Sequence, residues 1–564
     1  MYASFEPLKN AALIHHYLTH MVDSMEDNLP YWLILPNRKP AEAAHCRVDD
    51  AELAGSWYEG LLSAMQMLGT KEGAHVLASF RRHLMQSWGE NGLRYCKQYP
   101  WTHTIHASFH EMGYILSALN ALLEHDPSDG EAAERAEGLV HGMRNLVIER
   151  KVRTFWSGDF EEPEPVFEFP NDVYLPDRGF DLSRHSGRGE SCIRNAVILE
   201  PLVRYYERTQ DPVALDLAKG IANHLLGVSR YFNYKMEYFG HVHSAIWFAW
   251  GLAKLGRVTE ETRYTEKAKA IYDYTRSISS SFGWVPEYAQ WHPLSEEHCE
   301  TCCIRDMILC ALELIRCGYP DYWEDVNQFS RNQLVENQVR YTGYVVCDNS
   351  RPDGNGITYH EIGQRMLGGF TGGSEPNTIS LDRFRSVAGC CAGTAPTALK
   401  AVWDHVLTTE NGVHIINIPC DKEDDLCSLK SLLPNEGTIL LTAKEDGIFG
   451  VRIYEWMNEM KHTVNGLPVS PKKKGRILQL ALKKGDQWII SFPLETRCVM
   501  ETVRGMDYQV LYRGCDVIDL LPHGGHIRLY QRDLSVEPFL PKPEDVHESG
   551  ASNYGPTQQK TSDQ

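Results

Sequence analysis

Residues 214–221 read ALDLAKGI, and residues 264–271, fifty positions later, read YTEKAKAI. The two octapeptides share an acidic third residue, an Ala-Lys pair at the fifth and sixth positions, and a final Ile. A period near fifty residues fits two helices with their turns, which is the repeating unit of stacked or closed helical-hairpin folds. The sequence therefore predicts a fold built from such hairpins, with a chance similarity between two amphipathic helices as the alternative.

Amphipathic stretches of this kind run from about residue 8 to residue 410, and we assign residues 1–410 to one helical domain. Glycines punctuate these stretches, and glycine adopts the left-handed conformation of a helix C-cap without strain. Four glycines are predicted to end helices: Gly69, Gly227, Gly256 and Gly318.

After residue 410 the sequence changes to short runs in which apolar and polar residues alternate. These runs are residues 413–418, 438–442, 450–454, 478–482, 487–492 and 508–512. Turn pairs such as Asn465-Gly466 separate them, which favours antiparallel strands. We predict an antiparallel β-sandwich domain over residues 411–537. Residues 538–564 are rich in Pro, Ser, Gln and charge, and for them we predict a disordered tail.

Composition narrows the class of protein. The formal net charge of −19 argues against a nucleic-acid or anionic-membrane partner, because neither polyanion gains from meeting an acidic surface. The apolar runs are too short to span a bilayer, so no transmembrane helix is expected. The first residues lack the basic and apolar regions of a secretory signal. We therefore expect a soluble, cytoplasmic protein.

Two cysteine clusters are the strongest chemical signal in the sequence. Residues 298–303 read HCETCC and open a helical run, and residues 389–396 read GCCAGTAP and open another. Thiols at helix N-termini have depressed pKa values, since the unpaired amides and the helix dipole favour negative charge there. One Glu and three Cys would complete the tetrahedral coordination of Zn²⁺. The alternative is that these cysteines are buried and pack as small hydrophobic residues.

Three motifs carry a resemblance to a known family: Glu300-Thr301-Cys302, Cys390-Cys391 and Gly240-His241. Together they resemble the motifs of glycoside hydrolase family 127, the β-L-arabinofuranosidases. The resemblance implies a mainly α protein with added β structure, in which an (α/α)6 toroid precedes an antiparallel β-sandwich. It also implies a Zn²⁺ ion bound by Glu300, Cys302, Cys390 and Cys391.

The resemblance further implies that Cys390 is the nucleophile of a retaining glycosidase. Attack on the anomeric carbon would give a thioglycosyl intermediate that water then hydrolyses. Such a reaction needs a general acid/base. The best match is Glu287, in the segment GWVPEY at residues 283–288, with Glu296 and Glu297 as nearby competitors. The alternative for all three is an exposed loop carboxylate.

Aromatic and histidine residues crowd the helical region, and such side chains suit a saccharide pocket. The candidates for substrate binding are Trp101, His103, His106, His241, His243 and Trp284. The alternative is that the histidines are structural and the tryptophans belong to the core. The expected partner is an oligosaccharide or glycoside substrate, and a homodimer is one arrangement that we consider.

The chain departs from the family pattern after its Cys-Cys pair, where Ala392-Gly393-Thr394 replaces the common Gly-Asn step. Extra thiols, Cys299 and Cys303, flank the Glu-Thr-Cys triplet. These differences leave the sugar open, and we predict release of a terminal furanose-type sugar. Two rival functions stay open: another zinc-thiolate enzyme on a helical toroid, and a non-catalytic glycan-binding protein with a structural zinc.

Overall fold

The computed structural model describes residues 1–45, 49–98, 103–152, 164–169, 173–174, 195–290, 298–381 and 386–546. The mixture of helices and strands expected from the sequence is confirmed. The described α-helices all end at or before residue 404, and most of the longer strands follow residue 406.

The described α-helices are α1 (Pro7–His20), α2 (Ala54–Leu68), α3 (Ala74–Leu84), α4 (Phe109–His125), α5 (Gly130–Leu146), α6 (Leu199–Thr209), α7 (Pro212–Asn223), α8 (Val242–Thr259), α9 (Thr262–Ser277), α10 (Thr301–Arg316), α11 (Trp323–Phe329), α12 (Ile362–Arg365) and α13 (Gly389–Asp404). The two octapeptides that open the sequence analysis lie in α7 and α9. Both segments are therefore helical, as predicted.

Local sequence explains where several of these helices begin and end. The Asp211 carboxylate caps α7 by accepting a hydrogen bond from Val213 N–H at 2.9 Å, and Pro212 supplies a φ angle suited to the first turn. Gly69 ends α2 with a φ of 61°, and Gly318, with a φ of 98°, follows the end of α10. These two glycines end helices as predicted.

The other two glycines do not end helices, and the prediction for them is wrong. Gly256 lies inside α8, and Gly227 lies in a π-helical turn, His224–Val228, that continues α7. A Cβ atom at Gly256 would lie 2.3 Å from Thr265 Oγ1 on α9. Close approach of two helices therefore accounts for Gly256.

Six helices contact one another in a closed order. The contacts run from α2 to α4, α6, α8, α10 and α13, and α13 packs back against α2. A second set lies outside: α3 packs on α2, α5 on α4, α7 on α6, α9 on α8 and α11 on α10, while α1 packs on both α2 and α13. Helices of the first set such as α4, α8 and α10 are buried on nearly every side, which is expected for helices enclosed by others.

Short strands lie between the helices: β1 (Val22–Asp23), β2 (Leu29–Pro30), β3 (Leu33–Leu35), β4 (Glu42–Ala44), β5 (Cys96–Gln98), β6 (His103–Ala107), β7 (Ile148–Val152), β8 (Glu164–Glu168), β9 (Val173–Tyr174), β10 (Gly240–His241), β11 (Tyr288–Ala289), β12 (Ile357–Thr358), β13 (Ser374–Glu375), β14 (Thr378–Ile379) and β15 (Val387–Ala388). The strands after α13 are β16 (Leu407–Glu410), β17 (Val413–Ile416), β18 (Lys422–Glu423), β19 (Cys427–Ser431), β20 (Thr438–Ala443), β21 (Gly447–Arg452), β22 (Lys461–Val464), β23 (Leu467–Pro468), β24 (Lys472–Lys474), β25 (Ile477–Leu482), β26 (Gln487–Ser491), β27 (Thr496–Val503), β28 (Met506–Arg513), β29 (Asp516–Leu521) and β30 (Ile527–Arg528).

Most strands after α13 form three sheets. Their orders are β16-β17-β21-β25-β24, β18-β19-β20-β26-β22-β23 and β27-β28-β29. Each of the six strands predicted from sequence overlaps an observed one, namely β17, β20, β21, β25, β26 and β28. One pairing differs from the antiparallel prediction, since β17 and β21 are parallel. A parallel pair needs a crossover, and the sequence between these two strands contains β18 to β20 of the neighbouring sheet.

The chain returns to the helical region near its end. Strand β30 pairs with β14, so that Thr378 lies opposite Arg528. Residues 538–546 of the predicted tail are described and include a helical turn at Pro543–Asp545, while residues 547–564 lie outside the described residues. None of the described helices combines the length and the apolar character needed to cross a bilayer.

Candidate metal centre and catalytic cavity

Three distant segments lie side by side as a short backbone ladder. Gly240 and His241 pair with Ala289 and Tyr288 in strands β10 and β11. The residues before β11 pair in turn with the segment before α10, through Glu287 N–H, which donates to His298 O at 3.0 Å. The ladder continues to β13 through a bridge between residues 299 and 374. It therefore places the Gly-His step, the GWVPEY segment and the Glu-Thr-Cys triplet next to one another.

Both cysteine clusters lie at the starts of helices, as the sequence predicts. Helix α10 begins just after Glu300, and α13 begins just after Ala388, and both of these capping residues have extended backbones. Helix α2 fixes the start of α13, because Trp57 Nε1 donates to Gly389 O at 2.8 Å. The two helices also approach closely at Gly60, where a Cβ atom would lie 2.4 Å from Gly393 O.

The packing of α10 against α13 brings four candidate ligands together. One donor atom from each of Glu300, Cys302, Cys390 and Cys391 lies within 4.8 Å of the other three. Cys302 Sγ is 3.3 Å from Cys391 Sγ, and Cys390 Sγ is 3.7 Å from Glu300 Oε1. Thr394 Oγ1 lies 3.3 Å from Cys302 Sγ and donates to it.

This group of donors could hold a metal ion. A tetrahedral ion with metal–sulfur bonds of about 2.3 Å separates two sulfur ligands by about 3.8 Å. Cys302 Sγ and Cys391 Sγ, 3.3 Å apart, would therefore move apart by about 0.5 Å to bind one. Burial raises the pKa of the Cys302 and Cys391 thiols well above the usual value, and the adjacent Cys390 raises each of them further. A nearby cation is what would favour their thiolate forms.

Glu287 lies beside this group and is itself buried, with 2% of its surface exposed. Its Oε2 is 2.5 Å from Nε2 of His298, which is also buried. Carboxylate oxygens of Glu287 and Glu300 and a ring nitrogen of His241 lie within 4.8 Å of one another. The alternative of an exposed loop carboxylate is therefore wrong for Glu287. The competing candidates Glu296 and Glu297 lie outside the described residues.

Two predicted histidines lie at the start of α8. His241 Nε2 is 3.2 Å from Glu300 Oε2, and its Nδ1 is 3.0 Å from Ser244 Oγ. His243 lies deeper, with Nδ1 against Asp306 Oδ2. Burial opposes charge on the His243 imidazole, but the adjacent Asp306 carboxylate outweighs this effect, so that the pKa of His243 is raised.

A cavity of about 270 Å³ opens beside the four candidate ligands. Its lining residues are Trp32, Glu52, His110, Tyr114, His241, His243, Glu287, Tyr288, Glu300, Ala388 and Cys390. Cys390 lines the cavity and is 8% exposed, whereas Cys302 and Cys391 are fully buried. Of the three sulfurs, Cys390 is thus the one that a ligand in the cavity can reach.

Several lining residues were not predicted from the sequence. Tyr288 follows Glu287 directly, so proximity to a predicted residue was an available signal. Tyr114 lies one helical turn after His110, which also lines the cavity, and has no predicted residue beside it in the sequence. Glu52, in the π-helical turn Asp49–Leu53, carries no such signal.

Of the remaining predicted substrate-binding residues, Trp284 is the one whose side chain the structure describes. Trp284 is fully buried and donates from Nε1 to Ser374 O at 2.9 Å. An indole enclosed on all sides has no face for a sugar, so Trp284 belongs to the core. Trp101 lies outside the described residues, and for His103 and His106 only the backbone is described, in strand β6.

No protein-family model matches the sequence, and no curated protein matches it. Solved structures do match. A family 127 β-arabinofuranosidase shares 15% identity, with 92% of this chain and 83% of that one covered, at a TM-score of 0.58. A family 127 β-L-arabinofuranosidase from Geobacillus stearothermophilus T6 shares 13% identity over 90% of this chain and 80% of that one, at a TM-score of 0.55.

A third solved structure, described as a glycoside hydrolase, shares 14% identity over 88% of this chain and 84% of its own length, with a TM-score of 0.57. At identities this low, the similarity shows a shared fold, and the chemistry has to be argued from the residues of this chain. The resemblance expected from the sequence motifs is thus confirmed for the fold: this chain has the fold of the family 127 β-L-arabinofuranosidases.

Proposed function

We propose that the protein is a retaining glycoside hydrolase that releases a terminal furanose-type sugar, with β-L-arabinofuranosides as the first substrates to test. One observation carries the proposal. A cluster of three thiols and one carboxylate, drawn from two helix starts, opens through Cys390 onto a cavity that also contains Glu287. A nucleophile and a proton donor facing one cavity are what a two-step glycosidase requires.

Zn²⁺ is the metal that we propose for the cluster, held by Glu300, Cys302, Cys390 and Cys391. Thiolates favour zinc over the harder cations Mg²⁺ and Ca²⁺, and a carboxylate is an accepted fourth ligand. When bound, zinc would keep the thiols deprotonated at neutral pH.

The proposed reaction has two steps. In the first, Cys390 Sγ forms a bond to the anomeric carbon while the glycosidic C–O bond breaks, and Glu287 gives its proton to the departing oxygen. In the second, Glu287 takes a proton from water, the water oxygen bonds to the anomeric carbon, and the C–S bond breaks. Two inversions give net retention.

The surroundings of Glu287 support its role as acid/base. Its backbone is held on both sides, because its N–H donates to His298 O and its carbonyl accepts from Val242 N–H at 2.8 Å. The His298 imidazole further limits the rotation of the carboxyl group. A fixed proton donor is more effective than a mobile one, since its geometry is set before the reaction begins.

The size of the cavity supports action on a single terminal sugar. Pockets for drug-sized ligands typically have about 300 to 1,000 Å³, and this one has about 270 Å³. We infer that one sugar ring enters and that the rest of the substrate remains outside.

The architecture that we propose is an (α/α)6 toroid followed by a β-sandwich, divided near residue 410. The closed order of contacts among six helices, each with an outer partner, supports the toroid. The five- and six-stranded sheets after α13 support the sandwich.

The rival with a purely structural zinc predicts four equally enclosed ligands. The unequal burial of the three sulfurs, with Cys390 at the cavity wall, favours a reactive role for that residue. The other rival is a zinc-thiolate enzyme in which a substrate thiol becomes a ligand of the metal. That reaction needs no acid/base at Glu287, so the Glu287→Gln variant distinguishes it from a glycosidase.

The test is to measure zinc content and hydrolysis on the same purified protein. We expect about one zinc per chain and turnover of 4-nitrophenyl β-L-arabinofuranoside or another member of an aryl furanoside panel. NMR of the first product formed should show the anomeric configuration of the substrate. Zinc without turnover of any member would favour the glycan-binding alternative, and product of inverted configuration would exclude Cys390 as nucleophile.

A further inference from the structure

A chain of buried polar side chains crosses the interior of the helical region and ends at the cavity. Arg305 Nη1 donates to Asp306 Oδ1 at 2.6 Å, and Asp306 Oδ2 accepts from His243 Nδ1. His243 Nε2 lies 2.8 Å from the hydroxyl of Tyr114. The four residues are between 0% and 3% exposed, and they come from α4, α8 and α10.

At the end of this series of side chains farthest from the cavity, Arg305 is held by a ring contact and a hydrogen bond. The Arg305 guanidinium lies 4.4 Å from the centre of the Trp247 ring, and its Nε donates to Thr397 Oγ1 at 3.1 Å. Buried charges are costly unless every partner is in place. Asp306 meets this condition, because one carboxylate oxygen accepts from the Arg305 guanidinium and the other accepts from the His243 imidazole.

The directions of these hydrogen bonds leave one position open at Tyr114. A carboxylate only accepts, so His243 Nδ1 must donate to Asp306. If His243 is neutral, its Nε2 accepts from Tyr114, and a lone pair of the phenol oxygen remains for another donor. If His243 is charged, Nε2 donates, and the phenol proton remains for another acceptor. In both cases the hydroxyl can make one more hydrogen bond.

Tyr114 lines the same cavity as Cys390 and Glu287. Burial raises the pKa of its phenol well above the usual value, and the charge of Glu52 raises it further. The hydroxyl therefore stays protonated at neutral pH and can serve a sugar hydroxyl either as donor or as acceptor.

We propose that Tyr114 is a substrate-binding residue whose hydroxyl contacts one hydroxyl of the sugar ring, and that His243 and Asp306 are positioning residues that hold the phenol in place. This inference rests on the proposed function, since it assumes that a sugar enters the cavity. The contact selects sugars that carry a hydroxyl at one ring position.

The experiment crosses Tyr114→Phe with single-hydroxyl deletions in the substrate. The probes are 4-nitrophenyl β-L-arabinofuranoside and its three monodeoxy analogues. The wild-type protein and the variant are compared by kcat/KM on all four compounds. A neutral hydrogen bond has a net value near 1 kcal/mol, and about 1.4 kcal/mol corresponds to tenfold, so we expect the variant to lose about fivefold on the parent compound. On the one analogue that lacks the contacted hydroxyl, we expect a loss below about twofold.

Tyr272→Phe is the matched control. Tyr272 is also fully buried, and its hydroxyl donates to Asp325 Oδ2 at 2.9 Å on α11, away from the cavity. This variant should lose thermal stability without a change in its preference among the four substrates. An equal loss for Tyr114→Phe on all four compounds, or no loss on any of them, would overturn the proposal.

Two further measurements keep the test decisive. His243→Gln, which leaves the Arg305–Asp306 ion pair in place, should give a smaller loss with the same dependence on the deleted hydroxyl, and it replaces Tyr114→Phe if that variant does not fold. If the wild-type protein hydrolyses none of the glycosides, the proposed function fails, and the same cycle is then run by calorimetric binding of L-arabinose and its monodeoxy forms. Absence of binding as well would overturn the inference together with the function.

Discussion

Replacement of Glu287 by Gln removes the proposed acid/base and changes little else. Gln has the same shape, and the two backbone hydrogen bonds of residue 287, to His298 and Val242, do not depend on its side chain. The altered contact is the one with the His298 imidazole. Weakening a buried interaction of this kind costs about 1 to 3 kcal/mol, so the variant should fold with a melting temperature lowered by a few degrees.

The effect on catalysis should be much larger than the effect on stability. A positioned general acid contributes about 10² to 10⁴ in rate, and the contribution grows as the leaving group becomes more basic. We therefore expect kcat/KM on an alkyl furanoside to fall by at least about 10³. The leaving group of the 4-nitrophenyl glycoside needs little protonation, so the rate of the first step on that substrate should fall much less.

The assay is steady-state hydrolysis of both substrates, with and without sodium azide. Azide needs no deprotonation to attack, so it should restore turnover of the aryl substrate and give a glycosyl azide of retained configuration. Glu501→Gln is the control, since the Glu501 carboxylate accepts from Ser281 Oγ at 2.7 Å and does not line the cavity. Undiminished hydrolysis of the alkyl substrate by Glu287→Gln would refute the assignment.

Two other predictions concern packing and pH. Gly60→Ala would place a Cβ atom 2.4 Å from Gly393 O, so it should lower the free energy of unfolding by about 1 to 3 kcal/mol. It should also weaken zinc retention, because α13 carries two of the proposed ligands. Gly130→Ala is the control, since no atom lies within 4 Å of the added Cβ, and it should change the free energy of unfolding by less than about 0.5 kcal/mol. Both variants are measured by denaturant titration. Equal losses in the two would contradict this account of the contact between α2 and α13. The pKa of His243 is raised in the folded protein by Asp306. The ion pair of charged His243 with Asp306 therefore stabilises the fold fully below the usual pKa of 6.5, and this stabilisation is lost as the pH rises through the pKa of His243 in the folded protein. The difference in unfolding free energy between wild type and His243→Gln should therefore narrow from pH 6 to pH 9, and a difference that widens would reverse the sign assigned to this pair.

The sequence was most informative where residue type and helix position coincide. Cysteine clusters at two predicted helix starts indicated that these segments could meet, and the resemblance to family 127 added the four candidate ligands at residues 300, 302, 390 and 391, whose donor atoms the structure brings together. The strands after residue 410 followed from alternation of apolar and polar residues, which depends only on local geometry.

Tertiary packing decided the rest. Tryptophan is a residue type that binds sugars, but Trp284 is fully buried and its indole N–H donates to Ser374 O. Gly256 is a residue type that commonly ends helices, but here it lies inside α8, where the close approach of α9 leaves no room for a side chain. Tyr114 and Glu52 reach the cavity through tertiary contacts: Tyr114 on α4 hydrogen-bonds to His243 on α8, and the turn that holds Glu52 packs on α13. Spacing along the chain does not contain that information.

The most direct test of the metal centre is zinc K-edge X-ray absorption on the wild-type protein and on Cys390→Ser, each with its zinc content measured. We predict three sulfur ligands near 2.3 Å and one oxygen near about 2.0 Å in the wild type, and two sulfurs in the variant. A wild-type protein that holds no zinc after reconstitution, or a sulfur count that Cys390→Ser leaves unchanged, would contradict the proposed centre.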